Sequence, residues 1–398
     1  MPSADRRAAH PTGPPRPLPV QRELFDIPED VAYFNCASLA PQLRASAEAA
    51  TAALARRARP WTIASGDWFT EAEERRSLFA RLTGLDPEGV ALVPATSYGL
   101  AVAAANLTAR PGQRVLVLAE DYPSNRYTWQ RFAGRTGASL VTVERQDGQT
   151  WAEAVLQDLD ERTAVVAVLA THWTDGGSVD LAAVADRARE AGAALVVDAS
   201  QALGAVPLDL TAIRPDYLVS VGYKWLLGPF ALGYLYVAEG HRDGVPLEEN
   251  WISRLGSEDF SALTGYQDRY QPGARRFDVG QRTHFETTPM AVAALRQLLA
   301  WEVPRIAATL GQVTGRIQRE VEAIGLSLTT SDRVPHMLGI ALPAQARPAV
   351  AGALAEAGVF AGVRGLSLRV SPHLWTTDQD VERLVDALTK ATDGREAT

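Results

Sequence analysis

Lysine is what this sequence has least of. Of its 39 basic side chains two are lysine, Lys224 and Lys390, and the other 37 are arginine. Such a skew follows from GC-rich coding, yet it leaves any chemistry that needs a side-chain amine only two positions. Cysteine is nearly absent as well. A single Cys36 excludes an internal disulfide framework and a cysteine-based structural zinc site, and it fits a reducing compartment. The histidines, at 10, 172, 241, 284, 336 and 373, are scattered without an H-x-x-x-H pair, so no metal-ligand spacing emerges. No apolar run approaches the roughly 18 residues of a membrane helix, and none follows the early arginines. Neither a membrane span nor a signal peptide is expected, and cytoplasm is the default compartment. Positive charge is not in excess either. With 47 acidic residues against 39 basic ones and a net charge of −8, neither nucleic acid nor an anionic membrane is expected as partner. Nucleotide and hydrolase signatures (G-x-G-x-x-G, the P-loop, G-x-S-x-G) are missing.

What is present is a chain of 398 residues, 46% hydrophobic, long enough for one large α/β domain and a smaller one. Residues 1–20 are rich in Pro, Arg and small polar side chains and read as a disordered tail. Short apolar runs then alternate with helical patterns: VALVPA (90–95), RVLVLAE (114–120), SLVTVE (139–144), AVVAVLAT (164–171), ALVVDAS (194–200) and DYLVSVG (216–222). Continuous apolar strands separated by helices mean a mostly parallel, doubly wound sheet. ALGYLYVAE (231–239) follows Lys224 too closely for a helical crossover and is expected to pair antiparallel. Gly192 reads as a helix C-cap, and Thr377 with Asp380 has capping-box spacing. A smaller α+β domain is expected from about 286 onward.

Parallel sheets gather ligands at the carboxyl ends of their strands, and those ends deliver an unusual set of polar and aromatic residues. Thr96, Ser97 and Tyr98 follow the first run, Glu120, Asp121 and Tyr122 the second, then His172, Trp173, Thr174 and Asp175, then Asp198 and Gln201, then Tyr223 and Lys224. Taken singly, each has an ordinary reading: Asp198 a helix cap, Lys224 a solvated cation, Thr96 or Ser97 an N-cap, Tyr122 a core or surface ring. In this order and placement they point further. A lysine amine can hold an aldehyde cofactor as a Schiff base, and an aspartate beside it can keep a pyridine nitrogen protonated. A helix start bearing hydroxyls attracts a phosphate dianion.

The stretch VVDASQALGAVPLDLTAIRPDYLVSVGYKWLLGPFALGYLYV resembles the lysine region of the class V aminotransferase family. The segments YFNCASLAP, EDYPSNRYTW, ARRFDVG and LRVSPHLWTTDQDVERLVDAL resemble four further family segments, in the same order. The resemblance spans about residues 22 to 390 and implies a fold-type I enzyme dependent on pyridoxal 5′-phosphate: a mostly parallel seven-stranded sheet with a small α+β C-terminal domain. It implies an N-terminal segment at 21–60 packing on the small domain, a large cofactor-binding domain at 61–265, and a linker and small domain at 266–398. In those terms Lys224 is the Schiff-base lysine, Asp198 the pyridinium partner and Gln201 a partner of the cofactor's phenolic oxygen. Thr96 and Ser97 hold the phosphate, Tyr122 stacks on the ring, and Arg369 pairs with the substrate α-carboxylate. Asn35 lines the substrate pocket.

The sequence departs from the family pattern in places. Tyr223 stands where His is common, as in kynureninase-like members. Val221 replaces a Ser, leaving Ser220 as a substitute, and Trp173 takes the place of an Asn beside the cofactor. FDVGQRTHFETTP is longer than the family's usual turn, so the phosphate ligand from a second subunit has no assigned position. Persulfide-forming relatives need a cysteine just before the carboxylate arginine. Here AGVRGLSLRVS has none and Cys36 reads as a small buried residue, which disfavours sulfur transfer through an enzyme persulfide. The expected function is reaction of an amino-acid-like substrate through an external aldimine and a Cα carbanion, of the aminotransferase type. A C–S or C–C lyase, an epimerase and a non-catalytic metabolite sensor remain as alternatives. A homodimer with interfacial sites is implied by the resemblance.

Overall fold

The computed structural model describes residues 13–343 and 347–393. Its centre is a seven-stranded sheet built from the apolar runs: β2 (Val90–Val93), β3 (Arg114–Leu118), β4 (Ser139–Val143), β5 (Thr163–Leu169), β6 (Ala194–Asp198), β7 (Tyr217–Val221) and β8 (Gly233–Val237), in the order β2-β8-β7-β6-β5-β3-β4. Both faces of these strands are covered. Leu116 and Leu118 enter one apolar cluster, while Val115 and Val117 enter another on the opposite face. That is why the runs are continuously apolar rather than alternating. Helical crossovers keep β3 through β7 parallel to one another. β8 follows β7 without a helix and runs antiparallel to both β7 and β2, as its short connection requires.

The crossovers are α3 (Thr96–Asn106), α4 (Pro123–Thr136), α5 (Trp151–Asp158), α6 (Leu181–Ala191) and the single turn α7 (Leu210–Ile213). Gly192 ends α6 at φ 70°, the left-handed cap that glycine adopts without strain. Ahead of the sheet, α1 (Arg44–Arg57) and α2 (Asp67–Thr83) pack on the later helix α8 (Thr288–Trp301).

The smaller region has its own apolar cluster. It holds β9 (Leu338–Ala341), β11 (Gly362–Arg364) and β12 (Ser367–Val370), antiparallel in the order β11-β12-β9. Its helices are α9 (Val303–Ala323), α10 (Arg347–Glu356) and α11 (Asp378–Asp393). At the start of α11, Thr377 N–H donates to Asp380 Oδ2 at 2.9 Å and Asp380 N–H donates to Thr377 Oγ1 at 3.2 Å, the reciprocal pair of a capping box. The N-terminal chain joins this region: β1 (Ala32–Tyr33) pairs in parallel with β10 (Val359–Phe360), and Arg22 pairs with Asp380 at 2.8 Å. It then crosses to the large sheet, where Ala40 N–H donates to Tyr223 O at 3.0 Å.

The expected tail at 1–20 divides. Residues 1–12 lie outside the described residues. From residue 13 the chain is placed, and Leu18 packs on the core while its N–H donates to Thr309 Oγ1 on α9 at 2.7 Å. Leu18 supplies the apolar anchor that the surrounding Pro and Arg residues lack.

Candidate active site

A narrow cavity lies beyond the carboxyl ends of β5, β6 and β7, walled by Thr96, Tyr122, Thr171, Asp198, Gln201 and Lys224 among others. Lys224 follows β7 at Gly222-Tyr223-Lys224. The turn there is tight, because Gly222 approaches Leu232 O so closely that a Cβ would stand 2.6 Å from it. The lysine is 8% exposed and its Nζ lies 5.3 Å from the ring centre of Tyr122 and 5.9 Å from that of Tyr223. Burial lowers its pKa to about 8; Asp198 opposes that shift, and Arg369 and Arg364 add to it. Desolvation penalises an ammonium, while the nearby carboxylate favours it.

Asp198 ends β6 and is 5% exposed. Its Oδ1 accepts from Ser200 N–H at 2.9 Å, and burial raises its pKa. A buried carboxylate so placed gains from a cationic N–H partner. Gln201 is oriented without ambiguity. Trp225 Nε1–H, which can only donate, bonds Gln201 Oε1 at 2.8 Å, and Gln201 Nε2 donates to Ala37 O at 3.0 Å. The second Nε2 hydrogen is left for a ligand oxygen.

At the start of α3 the N-cap residue is Ala95 and no side chain caps the helix. The reading of Thr96 or Ser97 as an ordinary N-cap therefore gives way. The first N–H groups are left to an outside acceptor, as an anion site requires. Thr96 lines the cavity, its hydroxyl 3.2 Å from that of Ser200. Ser97 lies one residue further, exposed and outside the cavity wall.

Tyr122 begins α4, and a relay fixes it there. Trp129 Nε1–H donates to Asn125 Oδ1 at 2.7 Å, Asn125 Nδ2 donates to Asp121 Oδ2 at 2.7 Å, and Tyr122 N–H donates to Asp121 Oδ1 at 2.6 Å. Burial pushes Asp121 up to about 7. Glu120, just before, takes φ 50°, an unfavourable conformation for a residue with a Cβ. Its carbonyl accepts from Trp173 Nε1 at 2.7 Å, and Trp173 meets Tyr122 edge to face at 5.5 Å.

Arg369 on β12 is 1% exposed. Its Nη1 donates to Trp173 O at 2.9 Å and its Nη2 to Asn35 Oδ1 at 3.4 Å, while its buried Nε has no partner among the described residues. Burial, then the like charge of Arg364, pulls its pKa down to about 9. A buried guanidinium with an idle donor calls for an anion.

The fold thus brings together Lys224, Asp198, Gln201, Thr96, Tyr122, Tyr223 and Trp173 around one cavity, with Arg369 on its outer side; Asn35 lines neither and is reached only through Arg369 Nη2. Several residues escaped the sequence reading. Ser200 accepts from Val221 N–H at 3.2 Å and lines the cavity, and so does Thr171, whose buried hydroxyl has no partner among the described residues. Both follow strand ends that were already marked. The relay through Asn125 and Trp129 has helical i, i+4 spacing but no other signal. Cys36 proves fully buried, with its thiol raised well above the ordinary range by burial.

The donor set suits pyridoxal phosphate: a buried amine of lowered pKa, a carboxylate for a ring nitrogen, an aromatic face, a free amide N–H and an uncapped helix start. Comparison with known proteins decides the kinship. The family model described as aminotransferase class-V matches residues 50–384.

The chain belongs to the class V aminotransferase family.

It is a pyridoxal phosphate-dependent enzyme of that family. It is 27% identical over 323 residues to the uncharacterized aminotransferase YcbU of Bacillus subtilis, covering 81% of this chain and 84% of the relative. It is 26% identical over 346 residues to the isopenicillin N epimerase of Streptomyces clavuligerus, covering 79% and 83%. Among solved structures, the complex of the cystine C–S lyase C-DES with cysteine persulfide superposes with TM-score 0.80 at 17% identity, covering 91% of this chain and 98% of that one. That likeness establishes the shared fold-type I architecture.

Proposed function

We propose that this class V aminotransferase family member acts on an amino-acid-like substrate by moving its Cα proton with Lys224, in an aminotransferase-type reaction. One observation supports this above all: the only lysine near the sheet is buried in the cavity with Asp198, its pKa lowered to about 8. When bound, pyridoxal phosphate supplies an aldehyde carbon for amine attachment and a protonated ring that accepts the electron pair left by the Cα proton. Thr96 and the uncapped start of α3 would hold the phosphate, and Ser97 and Tyr223 are the further hydroxyls proposed for it. Asp198 would keep the ring nitrogen protonated, Tyr122 would cover the ring, and Gln201 would donate to the phenolic oxygen. Arg369, braced by Asn35 and by the Trp173 carbonyl, would take the substrate α-carboxylate in a bidentate pair. Lys224 would act as the general base that takes the Cα proton. A pKa near 8 keeps an appreciable neutral fraction for that step.

A second reading, a C–S or C–C lyase or an epimerase working without an enzyme persulfide, draws on the buried and raised Cys36 thiol, which is a poor nucleophile. Product analysis separates the two: an amino-group acceptor is required for turnover in the first reading and not in the second. We further propose a cytoplasmic homodimer with active sites at its interface. Exposed aromatics support it, including Phe230, 70% exposed, at the mouth of the outer pocket. Among the described residues no helix is long and apolar enough to cross a membrane.

Lys224→Ala tests the reading. Borohydride reduction and peptide mapping of the wild-type holoenzyme should find the cofactor fixed on Lys224, and the variant should show neither that adduct nor measurable turnover; an adduct on another residue, or turnover that survives the substitution, would sink the assignment.

A further inference from the structure

Outside the cofactor cavity the site opens into a second hollow of about 260 Å³, walled by Lys224, Arg369 and Arg364 with aromatic side chains and no acidic residue. Arg369 has an assigned task. Arg364 has none.

Arg364 sits on the hairpin that carries Arg369. Gly362 of β11 faces Arg369 of β12 in the antiparallel register. Arg364 is two residues beyond Gly362, hence on the same face as Arg369 and diagonal to it, a spacing of roughly 7–8 Å between backbones. The glycine matters here. A Cβ built on Gly362 would stand 3.2 Å from Arg364 Nη1 and 3.3 Å from Asn35 Oδ1. The guanidinium of Arg364 therefore folds across Gly362 towards the Asn35 carbonyl oxygen, the acceptor of Arg369 Nη2. Its other contacts hold it in place without neutralising it: Nη1 donates to Val363 O at 2.8 Å, and the group lies 5.8 Å from the ring centre of Trp173. Among the described residues it makes no ion pair. It acts electrostatically on both Lys224 and Arg369, lowering each. Two like-charged forks side by side, facing a hollow without a carboxylate, are mutually repulsive until anions arrive.

We propose that Arg364 is a specificity-determining residue that binds an acidic group on the substrate side chain, so that the preferred substrate is an amino acid carrying a second, distal anion. The proposal rests on the reading of Arg369 as the α-carboxylate partner. With that carboxylate on Arg369 and the amine directed at Lys224, the side chain of an α-amino acid is the part left to extend along the hollow towards Arg364. A planar fork on a short hairpin suits a carboxylate or sulfinate, and Trp173 limits its swing.

The test is titration of the cofactor-loaded enzyme with L-aspartate and L-glutamate and with their neutral isosteres L-asparagine and L-glutamine, read as the change in the visible spectrum. The acids should bind at least about tenfold tighter than the amides, the worth of one charge-assisted contact. Arg364→Met should weaken the acids by about tenfold or more and leave the amides within about twofold. Arg364→Lys should retain part of the preference, and a melting temperature near wild type shows that the variants fold. Amides binding as tightly as acids, no spectral response to any of the four, or an Arg364→Met variant that weakens acids and amides equally would each overturn the proposal. The last outcome would place Arg364 on the α-carboxylate instead. Failure of the underlying reading looks different: the loaded protein would show no visible band before any amino acid is added.

Discussion

At the scale of single residues, the chemistry depends on how far burial moves one amine. A solvated lysine at pH 7 is neutral in fewer than about one molecule in a thousand, whereas a pKa of about 8 makes roughly one in ten neutral. Only the neutral amine attacks an aldehyde. The rate at which apoprotein takes up pyridoxal phosphate, followed by visible absorbance, is therefore expected to climb about tenfold per pH unit below pH 8 and to flatten above it. A rate still climbing through pH 10 would mean that Lys224 keeps its ordinary pKa. The scarcity of lysine sharpened this assignment. Lys390 lies in the last turn of α11, where a cation suits the helix dipole, so Lys224 has no rival. Its burial was invisible in the sequence, because it comes from Tyr122 and the arginine hairpin converging from distant parts of the chain.

At the scale of elements, the site depends on turns that follow strands. The strand-end residues were legible because a continuous apolar run ends where its first polar residue stands, as with Asp198 after ALVV. What stiffens those turns was not legible. The start of α4 is held by the Trp129–Asn125–Asp121 relay, and no local pattern separates those three from surface polar residues. Asn125→Leu removes the middle of the relay and leaves the buried Trp129 indole N–H and the Oδ2 oxygen of Asp121 without partners. It is expected to cost about 1–3 kcal/mol of unfolding free energy in urea denaturation. It should also loosen cofactor retention on dialysis, because Tyr122 loses its brace. A variant as stable as wild type that retains cofactor equally would show that the relay is dispensable. The hairpin from β11 to β12 gives the opposite lesson. The sequence marked Arg369 through its family segment and passed over Arg364, whose role depends on a cross-strand register that no single segment contains.

At the scale of the whole molecule, three apolar clusters and a buried charge network fix the parts. Asp278, fully buried, accepts from Arg76 Nη2 at 2.7 Å, Arg282 Nη1 at 2.6 Å and Leu92 N–H at 2.7 Å. It thereby ties α2 and the 273–282 segment to β2. The N-terminal chain ties the small region to the sheet through β1 and the Ala40–Tyr223 contact. Phe230, at the mouth of the outer pocket, and the exposed aromatics Trp251, Phe260 and Tyr266 of the 249–268 stretch are the side chains expected to meet a second copy. Light scattering should give about twice the 42.8 kDa chain mass. A stable, active monomer would refute the shared-site arrangement.

The sequence by itself determined the sheet, because apolar runs too short for buried helices leave a chain no other way to satisfy its backbone. It also left Lys224 as the one amine available for Schiff-base chemistry at the sheet, because a strand end and a lysine coincide at one position only. Tertiary structure decided what surrounds that amine. Burial depth, the uncapped start of α3, the orientation of Gln201 by Trp225 and the pairing of Arg364 with Arg369 all depend on contacts between residues far apart in the chain. Such contacts set the local dielectric and the direction of each hydrogen bond, and neither is a property of any one segment.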